Sequence, residues 1–189
     1  MPARSLLAAA CILYASTAAA AGDLDAIFAK LAARQHGHVE FVEQHFIAML
    51  DRPTESSGEL RYDAPDHLEK RTLAPRPENM TLQGDTLVIE RGKIRRTVDM
   101  RSYPQVLPFI ESIRATLAGD RPALDKLFTL EFAGSLPRWT LTLVPRDGRV
   151  RRSVSQVRID GAQDQLMKVE IKQADGDRSL MTLRPASKP

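Results

Sequence analysis

The sequence contains a single cysteine, Cys11, in a chain of 189 residues. One cysteine cannot form an intramolecular disulfide, and it cannot build a zinc site of several thiolates. Cys11 also lies in an N-terminal segment that we expect to be removed, so the mature chain would carry no thiol nucleophile. These facts exclude a disulfide-stabilised fold and thiol chemistry.

An excess of charge of one sign is also missing. The chain has 27 Lys and Arg residues against 24 Asp and Glu residues, a formal net charge of +3. A nucleic-acid binder of this size should be far more basic, so no nucleic-acid partner is expected. The one dense basic cluster, "RDGRVRRS" at 146–153, predicts a solvated hairpin end. Contact with an anionic headgroup or a membrane surface is the alternative.

Catalytic and metal-binding motifs are scarce. The sequence has no GxSxG elbow, no HExxH and no glycine-rich phosphate loop. His36 and His38 form the only close histidine pair, which is more typical of a solvated turn than of a metal site. Asp175 and Asp177 lack the acid that a calcium loop needs at its twelfth position. We therefore expect no enzyme activity, no catalytic residue, no metal site and no cofactor.

No hydrophobic run is long enough to span a membrane. The N-terminus has Arg4, then an apolar stretch of about 10 residues, where a span needs about 20. Small residues follow at positions 18–21, as a signal-peptide cleavage site requires. We predict a signal peptide at 1–20, a single mature domain at 21–189 and export to the periplasm. A lipid-attachment box around Cys11 is the alternative.

Two segments of the chain have helical periodicity. In the first, Asp23 is a candidate N-cap for a helix whose apolar stripe is Leu24, Ile27, Phe28 and Leu31. In the second, "YPQVLPFIESIRATLAGDRPALDKLF", the apolar residues on one face are Val106, Phe109, Ile110, Ile113 and Leu117. This pattern breaks at Gly119 and restarts weakly through Leu124 and Leu127.

The rest of the chain has the period-two alternation of antiparallel strands. The predicted strands lie near 38–49, 58–64, 67–74, 79–83, 86–91, 93–99, 128–133, 138–144, 153–160, 164–173 and 178–184. Such a sheet is too wide to stay flat, so we predict a mainly β (α+β) fold: a curled, incomplete antiparallel barrel of about 10–11 strands.

The predicted sheet has one apolar face and little to cover it. In the strand near 58–64, Leu60, Tyr62 and Ala64 share a face, opposite Glu59, Arg61 and Asp63. Two short helical segments and only 5% aromatic residues cannot fill so large a curl. The sequence therefore favours an apolar cavity beneath a helical lid, and a fully packed barrel interior is the alternative.

Several short motifs occur in an order that resembles a known family. They are "FVEQ" (41–44), "SGELRYDAPDHLEK" (57–70), "LAGD" (117–120), "WTLTLVP" (139–145) and "DGDRS" (175–179). Together they are similar to the LolA-type periplasmic lipoprotein carriers, in their LolA-related branch. The resemblance covers essentially the whole mature chain. It implies an incomplete antiparallel barrel that is closed by helices and holds the acyl chains of a lipoprotein in its cavity.

The resemblance and the face patterns together predict the ligand-binding residues of the cavity and its lid. Leu68 joins them by its match to a phenylalanine of the family, and Trp139 is included although a core or rim position is more typical of it. The predicted residues are Leu60, Tyr62, Ala64, Leu68, Phe109, Ile110, Ile113, Leu117 and Trp139. Two positions depart from the family pattern. Ala64 stands where the well-known carriers have an arginine that bonds to the lid, and Glu43 stands where they have glutamine.

The function implied by the resemblance is transport of lipids or lipoproteins between membranes. We expect a monomeric periplasmic carrier that shields the acyl chains of a lipoprotein or glycolipid and moves them from the inner to the outer membrane. The implied partners are an inner-membrane exporter and an outer-membrane receptor. The alternative is an envelope-anchored receptor or interaction module on the same fold, without transport activity.

Overall fold

The computed structural model describes residues 15–104 and 107–186, with side chains from Asp23 onward. Most of the predicted signal peptide, including Cys11, lies outside the described residues. Val106, at the start of the second predicted helical stripe, lies outside them as well. Among the described residues, no helix is both long enough and apolar enough to cross a membrane.

The described residues form one antiparallel sheet of eleven strands. The strands are β1 (His36–Phe46), β2 (Thr54–Asp63), β3 (His67–Ala74), β4 (Glu78–Gln83), β5 (Thr86–Arg91), β6 (Ile94–Asp99), β7 (Phe128–Ser135), β8 (Arg138–Pro145), β9 (Val154–Ala162), β10 (Gln165–Gln173) and β11 (Arg178–Pro185). Their order is β6-β5-β4-β3-β2-β1-β11-β10-β9-β8-β7. Since β6 and β7 are free edges, the sheet does not close. The predicted mainly β fold with an incomplete barrel is confirmed.

The register of the central strands explains which side chains face inward. Val39 of β1 lies opposite Leu60 of β2, and Tyr62 of β2 lies opposite Leu68 of β3. Residues directly opposite each other in an antiparallel pair point to the same side of the sheet. The alternation read from the sequence therefore brings Val39, Leu60, Tyr62 and Leu68 together on the concave face.

In the described part of the chain, four α-helices and one 3₁₀ turn accompany the sheet. They are α1 (Ala15–Ala32), the 3₁₀ turn (Met100–Ser102), α2 (Leu107–Leu117), α3 (Arg121–Leu127) and α4 (Gly148–Arg151). The weak restart after Gly119 is a true helix, α3, because the Asp120 side chain accepts a hydrogen bond from the Ala123 amide at 3.0 Å.

Helix α4 corrects the expectation of a simple hairpin end at 146–153. Asp147 caps it by accepting a hydrogen bond from the Arg149 amide at 2.7 Å, and the helix buries its own residue Val150. The strand expected at 38–49 also ends earlier, at Phe46, and the apolar residues that follow form an exposed loop. In both cases the sequence shows that the residues are apolar. It does not show whether another part of the chain packs against them.

The packed core lies at one end of the sheet. The stripe of α1, formed by Leu24, Ile27, Phe28 and Leu31, packs with residues of α2, α3 and β7–β9 in one buried cluster. These four side chains are each at most 7% exposed. The helices therefore fill only the β7–β9 part of the curl, which leaves the concave face of the remaining strands for a cavity.

Gly119 connects α2 to α3 in the way that this packing demands. Its φ of +66° is a left-handed conformation, and the amide of Asp120 donates to the carbonyl of Ala115 at 2.8 Å, as at many helix ends. A Cβ at this position would lie 2.4 Å from the carbonyl oxygen of Phe28. Glycine at this position therefore permits the left-handed turn and also the close packing of the turn against α1.

Candidate functional site

A cavity of about 420 Å³ lies between the concave face of the sheet and α2. Its volume falls within the range of about 300–1,000 Å³ that is typical of small-molecule sites. Most of the lining side chains are apolar. The sheet contributes Val39, Leu60, Tyr62, Leu68, Met80, Leu82, Leu87, Ile159, Val169, Ile171, Met181 and Leu183, and α2 contributes Phe109, Ile110, Ile113, Thr116 and Leu117.

Helix α2 presents its predicted apolar stripe to the cavity. Phe109, Ile110, Ile113 and Leu117 all line it, and none of the four is fully buried. Ser112, Ala115 and Thr116 of α2 are buried in the molecule, and Thr116 also borders the cavity. The helix therefore has two apolar or small faces, one buried in protein and one directed at the cavity.

The predicted floor residues Leu60, Tyr62 and Leu68 line the cavity too. Burial, and secondarily the charge of Asp66, raises the pKa of the Tyr62 hydroxyl. That hydroxyl is buried and has no hydrogen-bond partner among the described residues. This part of the floor is therefore apolar except for the hydroxyl group of Tyr62.

Two predicted ligand-binding residues do not line the cavity. Strand β2 ends at Asp63, and the next residue, Ala64, leaves the strand and donates its amide hydrogen to the carbonyl of Gln35 at 2.8 Å. Trp139 is 3% exposed within the helix-packed core. Its indole covers Gly161, where a Cβ would lie 2.2 Å from the ring, and donates to the Gln163 carbonyl at 3.0 Å.

An arginine of α2 connects this helix to the sheet, at a place that the sequence did not indicate. Arg114 donates a hydrogen bond to the backbone carbonyl of Gly84, in the turn between β4 and β5. It also pairs with Glu111 at 2.9 Å. The Arg114 side chain is only 17% exposed, so water competes weakly for this contact. An arginine contact therefore holds α2 to the sheet from the helix side.

A charged cluster interrupts the apolar floor. The Lys70 ammonium of β3 lies 2.5 Å from Glu43 Oε2 of β1, and both residues line the cavity. The hydroxyl of Ser179, on β11, donates to Glu43 Oε1 at 2.7 Å, and His45 Nε2 lies 3.4 Å from Oε2. Burial alone would raise the pKa of Glu43, but Lys70, Ser179 and His45 together lower it below its ordinary value.

The cavity also has a polar end, near the beginning of β1. Arg34, His38, Arg61 and Arg184 line it there. Arg34 is held by donating to the backbone carbonyls of His36 at 3.2 Å and Asp164 at 3.1 Å. Within the described ranges, no group of three or more His, Cys, Asp or Glu residues is placed to hold a metal ion.

Sequence reasoning missed more than half of the floor. It did not assign Met80, Leu82, Leu87, Val169, Ile171, Met181 and Leu183, or the charged residues Glu43 and Lys70. The signal was present in the alternation. Glu43 has the same parity as Val39 and Phe41 in β1, and Lys70 has the same parity as Leu68 in β3, so each places a charge on an otherwise apolar face.

Comparison with solved structures gives matches of low sequence identity. A LolA superfamily protein from Nitrosomonas europaea is 10% identical, with a TM-score of 0.47 and coverage of 90% of this chain and 95% of that one. The lipoprotein LppX from Mycobacterium tuberculosis is 12% identical, with a TM-score of 0.46 and coverage of 88% and 96%. A chain of the MucA/MucB complex from Pseudomonas aeruginosa is 16% identical, with a TM-score of 0.48 and coverage of 88% and 58%.

The family assignment rests on the sequence rather than on these structures. A search of curated proteins finds no significant match. The sequence model of the family described as "Outer membrane lipoprotein carrier protein LolA-like", however, matches residues 15–188, nearly the whole chain. The open antiparallel sheet and the cavity beneath α2 agree with the fold that the motifs implied. The chain therefore belongs to the LolA-like family of outer-membrane lipoprotein carrier proteins.

Proposed function

We propose that this protein is a periplasmic carrier that shields the acyl chains of a lipoprotein or lipid and moves them from the inner to the outer membrane. The observation that carries this proposal is the apolar cavity of about 420 Å³ between the sheet and α2. Apolar side chains line it on the sheet side and on the helix side. An acyl chain placed there would touch mainly apolar side chains.

The energetics of acyl chains explain why a carrier needs such a cavity. Each buried methylene gains about 0.8 kcal/mol, so a chain of about 16 carbons gains roughly 12 kcal/mol by leaving water. Without a carrier, a chain of this length does not cross an aqueous compartment at a useful rate. A cavity that shields most of the chain lowers that barrier, and a partial fit leaves the chain able to depart at the receiving membrane.

The remaining assignments follow from this role. Residues 1–20 serve as a signal peptide and residues 21–189 form the mature carrier domain in the periplasm. An inner-membrane exporter loads the cargo and an outer-membrane receptor accepts it. The cavity residues act by contact and by exclusion of water, and none of them has a catalytic role.

Native mass spectrometry of protein purified from the periplasm tests this proposal. We expect a polypeptide that begins at Ala21 or Gly22 and carries a non-covalent adduct with the mass of an acylated molecule. The adduct should be lost on collisional activation, and the emptied protein should bind the apolar dye N-phenyl-1-naphthylamine. Protein that carries no adduct and binds neither this dye nor acyl lipids would contradict the carrier role.

A second function, an envelope-anchored receptor or interaction module, is favoured by the loop between β1 and β2. Met49 is 94% exposed there and Leu50 is 52% exposed. These side chains gain little from the fold, so a partner surface would bury them. The mass of the N-terminus distinguishes the two functions, because an anchored receptor would begin with a diacylated Cys11.

A further inference from the structure

The pair formed by Glu43 and Lys70 is not explained by the stability of the fold. The Glu43 side chain is only 6% exposed, lies opposite Met181 of β11 and shares its face of β1 with Phe41. Removing two charges from water is costly, and an apolar pair of similar size is often equally stable or more stable. A charged pair at the floor of an apolar cavity therefore suggests a role toward a ligand.

The pair offers a ligand hydrogen-bond donors rather than acceptors. Both carboxylate oxygens of Glu43 are engaged, one by Ser179 and the other by Lys70. An ammonium group has three donors. In the described part of the chain, Lys70 uses one of them on Glu43, and its ammonium lies 5.0 Å from the ring centre of Phe41. The Lys70 side chain is 30% exposed and lines the cavity.

The charge of the cluster determines which kind of ligand oxygen can accept a hydrogen bond from Lys70. Glu43 is ionised at neutral pH because its pKa is lowered, so the positive charge of Lys70 is already balanced. A ligand carboxylate that approached Lys70 would lie close to the carboxylate of Glu43 and be repelled by it. An uncharged carbonyl oxygen would accept the same hydrogen bond without that repulsion.

We propose that Lys70, balanced by Glu43, binds the uncharged ester or amide carbonyl that joins an acyl chain to its head, and that the cavity thereby favours acyl esters over free fatty acids. The inference rests on the proposed function, since it requires an acyl chain in this cavity. It names the part of the cargo that is recognised: the linkage rather than the chain or a charged headgroup.

Competition against N-phenyl-1-naphthylamine at neutral pH tests the inference, with 1-monopalmitoylglycerol and palmitate as ligands of equal chain length. In the wild type, the ester should bind about tenfold more tightly than the acid. Lys70→Met should weaken the ester by about tenfold, because the charge-assisted hydrogen bond is lost. Glu43→Gln should strengthen palmitate by at least about tenfold, since Lys70 is then an unbalanced cation.

Lys172→Met is the matched control, because Lys172 is an exposed lysine of β10 that does not line the cavity. It should leave both affinities unchanged. Dye binding shows for each variant that the cavity is formed, and the preference of the wild type stands even if a variant fails to fold. Equal affinity for ester and acid in the wild type would overturn the inference and leave the carrier role intact. Failure of the wild type to bind dye and either lipid would overturn the carrier role itself.

Discussion

An aspartate in place of Ile113 should remove most of the affinity for acyl chains. Ile113 lies in the middle of the α2 stripe and lines the cavity with Phe109 and Leu117. A carboxylate introduced there stays hydrated, because an unpaired charge in an apolar site is very costly. The water that it retains would occupy space that the acyl chain needs.

The size of this effect follows from the methylenes that lose their shielding. If about three of them are exposed to that water, the loss is about 2.4 kcal/mol at about 0.8 kcal/mol each. This corresponds to a dissociation constant that is roughly 50-fold larger. The fold should survive, since Ile113 is only partly buried and does not belong to the packed core or to the residues packed against it.

Direct titration with a fluorescent monoacylglycerol measures the change, and circular dichroism verifies that each variant is folded. Ile94→Asp is the matched control, because it makes the same chemical change at a residue of β6 that is 58% exposed. It should bind as the wild type does. If Ile113→Asp binds as tightly as Ile94→Asp while both are folded, α2 does not cover the ligand and the reasoning is refuted.

Three further predictions concern the turn after α2, the α2–sheet contact and the charged cluster. Gly119→Ala should lower the free energy of unfolding by about 2 kcal/mol or more, because alanine would have to adopt a positive φ and its Cβ would lie 2.4 Å from the carbonyl oxygen of Phe28. An unchanged urea midpoint would contradict this. Arg114→Met removes the hydrogen bond from α2 to Gly84. Dissociation of a bound fluorescent lipid, measured by stopped flow, should therefore become about tenfold faster. An unchanged rate would show that this contact does not hold the helix. The pKa of Glu43 is lowered in the folded state, so its stabilising contribution is present above the ordinary value of about 4.5 and is lost as the pH falls through the folded value. Stability of Glu43→Gln should therefore fall less than that of the wild type over this acid range, and parallel losses would argue against the ion pair.

Local periodicity is sufficient to predict much of the fold and some residues on both sides of the cavity. The alternation around Leu60 and Tyr62 reports which side of a strand is apolar, and the spacing of Phe109, Ile113 and Leu117 reports one face of a helix. Both patterns depend only on residues close in sequence, so they can be recognised without knowing how the rest of the chain folds. The structure places all five of these residues along the cavity.

Features that depend on distant parts of the chain could not be predicted in this way. Glu43 and Ser179 are 136 residues apart, and their contact exists only because β1 pairs with β11. Trp139 is included among the predicted cavity residues although a core or rim position is more typical of it, and its buried position depends on Gly161 of the neighbouring strand leaving room for the indole. Periodicity shows that a side chain faces inward. It does not show whether helices or a cavity lie above it.

Photo-crosslinking tests the central claim most directly, that an acyl chain lies between α2 and the concave face of the sheet. A palmitoyl ester with a diazirine near the end of its chain would be bound, irradiated and located by peptide mass spectrometry. We expect crosslinks to α2, at residues such as Ile113 and Leu117, and to floor residues such as Leu60 and Met181. Crosslinks confined to exposed apolar residues outside the cavity, such as Met49 and Leu73, would contradict the account.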